Sequence, residues 1–250
     1  MSYKNLSSKE ADLLNKIDEA GLAVFGLREL VEITGWDRSR TNNHLSSLRR
    51  KGIVKKIKRG NFVLSSDIPD RSFEIATEMF SPCYISFWTA LSYYGFTDQQ
   101  VTTVQLISSR QMKGVEDGPI KIETTTFKDK RFYGYRKENG FSIAEEEKAL
   151  VDSLYMPEKV GGLDELSNCL STAWETMDEE SFTQYLLKFG NKSMVSRAGY
   201  LIENLGLEFG EFGRLEENKS ESYVKLSPSN SKNKKYDNHW NLIVNKEVMP

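Results

Sequence analysis

Nine basic side chains crowd into residues 36–60: Arg38, Arg40, Arg49, Arg50, Lys51, Lys55, Lys56, Lys58 and Arg59, against one acid, Asp37. The window carries +8 in a chain of formal net charge −2, so the other 225 of the 250 residues sum to −10. Charge confined to one stretch points to phosphate contacts made there, and away from general stickiness. Two kinds of chemistry are available. Arginine and asparagine can pair with guanine and adenine edges in the major groove through two hydrogen bonds. Lysine and arginine on a loop tip neutralise backbone phosphates, which positions a protein on a duplex without reading it. Arg38, Ser39, Arg40, Asn42, Asn43 and Ser46 are candidates for the DNA-facing side of a helix. Lys56, Lys58 and Arg59 are candidates for the tip of a hairpin. The rival reading is a solvated basic helix, and the repeat of the charge in the hairpin favours DNA over it.

The elements that would hold these residues are legible nearby. Ser7-Ser8-Lys9-Glu10 has the form of a helix start with a reciprocal cap. Ala11, Leu14, Ile17 and Ala20, with Leu13 beside them, form an apolar stripe that Gly21 ends. A second helix is expected over 27–34, stopped by Gly35. Asp37 suits the cap of a third helix through about Lys51, with Thr41, Leu45 and Leu48 on its inner face. Residues 53–57 and 62–64 then read as two strands around the tip Lys58-Arg59-Gly60-Asn61. Three helices and a β-hairpin in this order spell a winged helix-turn-helix domain over residues 1–66.

Asp67, Pro69 and Asp70 mark a boundary. Residues 67–80 are expected to be a linker with a short helix. Residues 81–250 are expected to form a larger mixed α+β domain whose C-terminal half is mostly helical. Its expected parts are an aromatic helix over 84–94, strands over 101–108 and 120–127, and a helix beginning at Ser142. Helices near 163–176, 179–189 and 192–205 follow. A polar loop over 216–235 and a closing strand over 240–244 complete it. The polar boundary predicts that the two parts fold as separate units.

Other chemistries find little support. Cys83, Cys169, His44 and His239 show no paired ligand spacing, so no metal is expected. No nucleophile elbow, phosphate-binding glycine loop or HExxH string occurs, and no cofactor or enzymatic activity is expected. Glu145-Glu146-Glu147 and Asp178-Glu179-Glu180 sit at helix starts, where acids suit the helix dipole. No apolar run reaches the ~18 residues a membrane span needs. Two distant cysteines suit a reducing, cytoplasmic setting.

Five strings in order resemble the AbiEi family, the antitoxin and autorepressor of type IV toxin–antitoxin modules. They are Tyr84-Ile85-Ser86 through Ala90-Leu91-Ser92-Tyr93-Tyr94-Gly95-Phe96-Thr97-Asp98-Gln99; Ser142-Ile143-Ala144 with Glu147-Lys148-Ala149-Leu150-Val151-Asp152; and Arg197-Ala198-Gly199-Tyr200-Leu201-Ile202-Glu203-Asn204-Leu205-Gly206. Tyr223-Val224-Lys225-Leu226-Ser227-Pro228 and Trp240-Asn241-Leu242-Ile243-Val244-Asn245 close the series. The resemblance implies a repressor of its own promoter that counteracts a nucleotidyltransferase toxin. It makes Lys148, Asp152, Arg197, Tyr200 and Glu203 candidates for the antitoxin function, against core packing or simple helix pairing as the alternative. Two other classes compete with this reading. One is a ligand-responsive regulator with a pocket lined by Phe87, Trp88, Tyr93, Tyr94 and Phe96. The other is an RNA-binding protein.

Overall fold

The computed structural model describes residues 6–227 and 235–247. The chain starts with α1 (Ser8–Glu19), α2 (Leu27–Thr34) and α3 (Arg38–Arg50), followed by the antiparallel hairpin of β1 (Val54–Lys58) and β2 (Asn61–Leu64). The caps form as expected. Ser7 and Glu10 close a reciprocal box, and Asp37 accepts the Arg40 amide. Gly35 ends α2 with φ 68°, a left-handed turn that glycine adopts without steric cost. The buried stripe of α1 is Glu10, Leu13 and Ile17, not the three-residue series around Leu14. Spacings of three and four follow the true helical period. Phe25 bridges Phe62, adding a third short rung to the hairpin.

The second part is built on a five-stranded sheet in the order β5-β4-β3-β7-β6. Its strands are β3 (Cys83–Ile85), β4 (Thr103–Ser108), β5 (Lys121–Thr126), β6 (Tyr135–Glu138) and β7 (Phe141–Ala144). The helix α4 (Ile68–Met79) precedes β3, and α5 (Phe87–Tyr93) lies between β3 and β4 in the chain. Then come α6 (Glu146–Tyr155), α7 (Leu163–Ala173), α8 (Glu179–Phe189), α9 (Lys192–Asn204) and α10 (Phe212–Asn218). A small sheet of β8 (Val224–Lys225), β9 (Lys235–Asp237) and β10 (Leu242–Val244) ends the described chain, with β10 in the middle. The fold is therefore mixed α+β, with helices α6 to α10 following the main sheet.

Four expectations are corrected. The aromatic helix is two elements, because Tyr84 and Ile85 form the central strand β3 and only residues from Phe87 onward are helical. Ser142 does not begin a helix: it lies in β7, which a tight Asn139-Gly140 turn joins to β6. The polar stretch after residue 216 is not one loop, since α10 runs to Asn218 and β8 follows; residues 228–234, including Pro228, lie outside the described residues. Finally, the boundary does not divide the two cores cleanly. One apolar cluster belongs to the first module, around Leu13, Phe25, Leu45 and Leu48. Ala23, Val24, Ile57 and Val63 of that same module instead join the large cluster of the second part, with Ile75, Ala76 and Phe80 of the α4 region. The short helix expected in 67–80 is α4, and it packs into that core.

Candidate nucleic-acid interface

On α3 the division between faces is clean. Thr41, Leu45 and Leu48 are buried. Arg38, Ser39, Arg40, Asn42 and Asn43 are exposed, and Ser46 is half-buried. The inner face packs because residues 41, 45 and 48 return to the same side of a 3.6-residue helix. Whatever approaches the outer face therefore meets two guanidiniums and two carboxamides within the first two turns. The Arg40 guanidinium lies 4.6 Å from the centre of the Trp36 ring, which holds its side chain in one direction. His44 packs its ring against Trp36 at 5.1 Å, a structural contact.

The hairpin adds Lys55, Lys56, Lys58 and Arg59, all exposed. A register shift between Lys56 and Lys58 breaks the strict alternation of β1. It lets Ile57 turn inward, toward the second part's core, while Lys55 and Lys56 both face solvent. The Lys58 ammonium sits 4.7 Å over the Phe80 ring, so this lysine leans on the second part and leaves Arg59 as the freer cation of the tip.

The module is stapled at its base. Lys51, just past α3, donates to Glu10 Oε2 at 2.7 Å across the bundle. That ammonium, together with the Ser7 amide, holds the buried Glu10 carboxyl down at about 2.

The five antitoxin candidates divide between interior and surface. Lys148 and Asp152 are wholly buried and paired with each other. Tyr84 Oη and Ser86 Oγ donate to Asp152 Oδ2 at 3.1 and 2.9 Å, and Lys148 Nζ donates to Tyr84 Oη at 2.9 Å. The rings of Tyr84, Phe127, Tyr133 and Phe189 surround the ammonium at 5.0–5.7 Å. Burial pushes the Asp152 carboxyl up and the Lys148 ammonium down. This is a closed polar knot that no surface partner reaches in this state.

On α9, Arg197 donates from Nε to the Lys225 carbonyl at 3.0 Å and is not paired with Glu203. Glu203 accepts from Trp240 Nε1 at 2.6 Å and faces His239, whose other ring nitrogen lies 2.8 Å from Glu216. Gly199 lies under the Trp240 ring, and a Cβ there would come within 2.2 Å of it. Tyr200 is half-buried. The strings that carry the family resemblance thus meet one another in space. Tyr84 and Ser86 meet Lys148 and Asp152, and α9 meets Trp240 and Lys225. Asn245 holds both the amide and the carbonyl of Ser227.

The aromatic residues offered as a ligand pocket do not share one. Phe87 and Phe96 are core, and the Tyr94 hydroxyl is bound to the Ala144 carbonyl. Tyr93 lines one cavity with Phe73, and Trp88 lines another. Both cysteines are free and buried. Among the described residues no group of three or more His, Cys, Asp or Glu is placed to hold a metal, and no helix is long and apolar enough to cross a membrane.

No family model matches the chain, and no curated protein matches it. Among solved structures, the chain is similar to the RV2827C protein from Mycobacterium tuberculosis. That crystal structure matches with a TM-score of 0.70 over 95% of this chain and 92% of that one, at 15% sequence identity. At that identity the likeness is one of fold alone, and it extends over most of the chain.

Proposed function

We propose that the chain is a DNA-binding transcriptional repressor whose first 66 residues act as a winged helix-turn-helix. In this reading α3 enters the major groove and the β1–β2 hairpin is the wing. One observation carries it: the face of α3 left open by the fold bears Arg38, Arg40, Asn42 and Asn43, and the same module carries Lys56 and Arg59 on its hairpin. Side chains able to pair with bases and side chains able to neutralise phosphates are then exposed on one small module, the combination that duplex recognition uses. The target is the protein's own promoter, and the protein acts there without catalysis. The larger role is that of an antitoxin of the AbiEi kind, counteracting a nucleotidyltransferase encoded beside it. That role is supported by the order of the five strings.

The test is binding of the full chain to its promoter region. Arg40→Ala or Asn43→Ala is expected to cost about 1–3 kcal/mol at one operator position while other positions keep their preference. Equal weakening on every sequence would reassign both residues to phosphate contacts. Co-expression with the neighbouring nucleotidyltransferase tests the antitoxin role, which falls if the chain gives no protection.

A further inference from the structure

An open groove lies at the far end of α3. It holds about 700 Å³ and is lined by Ser46, Arg49 and Arg50 of α3 and by Lys55 and Lys56 of β1. Its opposite wall does not belong to the basic module at all: it is the Gly118–Pro119 turn, just before β5. Among the described residues, none of Arg49, Arg50, Lys55 and Lys56 forms an ion pair. Arg49 leans on the Phe62 ring at 5.4 Å. Four cations brought to one groove, with no carboxylate among its lining residues, give it a positive potential that favours an anionic ligand.

The form of the groove identifies that anion. It is open, so it admits a long ligand. Its cations come from two elements, the last turn of α3 and the strand β1, which suits phosphates repeated along a chain. Ser46 and Lys56 belong both to the groove and to the face of α3 and the hairpin. We propose that the groove is a track for the phosphodiester backbone of duplex DNA, and that the Gly118–Pro119 turn borders the bound DNA. This rests on the proposed function of the basic module and adds to it. The DNA is held past the base pairs beneath α3, and a turn far outside the basic stretch contributes to affinity.

The experiment uses the full chain and its own promoter duplex across a salt series. Arg50→Ala combined with Lys55→Ala is expected to make the log–log salt slope shallower by about 0.9 for each phosphate no longer neutralised, with base preference unchanged. Pro119→Glu, which adds an acid to the far wall, is expected to weaken binding severalfold at an unchanged melting temperature. Parent-like affinity and slope in both variants would overturn the groove assignment while leaving α3 as the reader. Failure of the parent to bind duplex DNA at all would overturn the function on which the groove rests. Saturable binding of tripolyphosphate that Arg50→Ala with Lys55→Ala abolishes, at an unchanged DNA slope, would also overturn it in favour of a free-anion site.

Discussion

Lys148 and Asp152 stand four apart on a helix, a spacing that ordinarily marks a solvated pair worth a few tenths of a kcal/mol. Here both are wholly buried, and that reverses the energetics. A buried pair gains its attraction only against a large desolvation cost, so the pair as a whole adds little, while loss of one member strands a charge. Lys148→Met is therefore expected to destabilise the chain by about 3–5 kcal/mol in denaturant unfolding. Lys148→Met with Asp152→Leu should recover most of that loss, because nothing charged is then left inside. A single variant within about 1 kcal/mol of the parent would show that the pair is solvated after all. The sequence announced the pair but not its burial, which depends on partners 64 and 66 positions away, Tyr84 and Ser86. By contrast, Arg40, Asn42 and Asn43 were legible as surface residues from local period alone. Their exposure is set within α3 and needs no distant chain.

Among the elements, α9 and the small closing sheet depend on one missing side chain. Gly199 lets the Trp240 ring lie directly on the helix backbone, and Glu203 one turn on receives the indole N–H. Gly199→Ala is expected to lower the melting temperature and cost about 1–3 kcal/mol or more, since a Cβ would overlap the ring and force repacking. Gly199→Ala with Trp240→Leu should be less destabilised than the sum of the two single changes, and strict additivity would show that the residues do not touch. Which elements could be read in advance follows from how locally they are specified. The three N-terminal helices carry caps, periods and glycine stops. The β6–β7 hairpin also carries a strong local signal, Asn139-Gly140, with both residues at positive φ. Strand β3 had none. It is three residues long and buried throughout, so neither a period nor an alternation marks it, and only its pairing with β4 and β7 makes it a strand. The closing sheet has the same origin: β8 and β10 pair across a long excursion of the chain.

At the scale of the whole molecule, the two parts meet through a shared apolar seam. Ala23, Val24, Ile57 and Val63 leave the first module's surface to enter the second part's core. The fragment 1–66 would expose all four. It is expected to melt below the intact chain and to bind a hydrophobic dye that the intact chain does not, and a fragment as stable as the parent would refute the shared core. Arg71 adds polar ties at the same seam, bonding Asp67 and Glu74 on its own helix and the Gly21 carbonyl of the first module. On the proposed function, the seam also changes how any partner of the second part would relate to DNA. Modules on a flexible linker cooperate through effective concentration, which depends on tether length and tolerates many orientations. Modules welded through a core have no tether to vary. A molecule held by the second part would arrive at the operator in a single pose, and crowding or clash with its neighbours on the DNA would be decided by angle and not by reach.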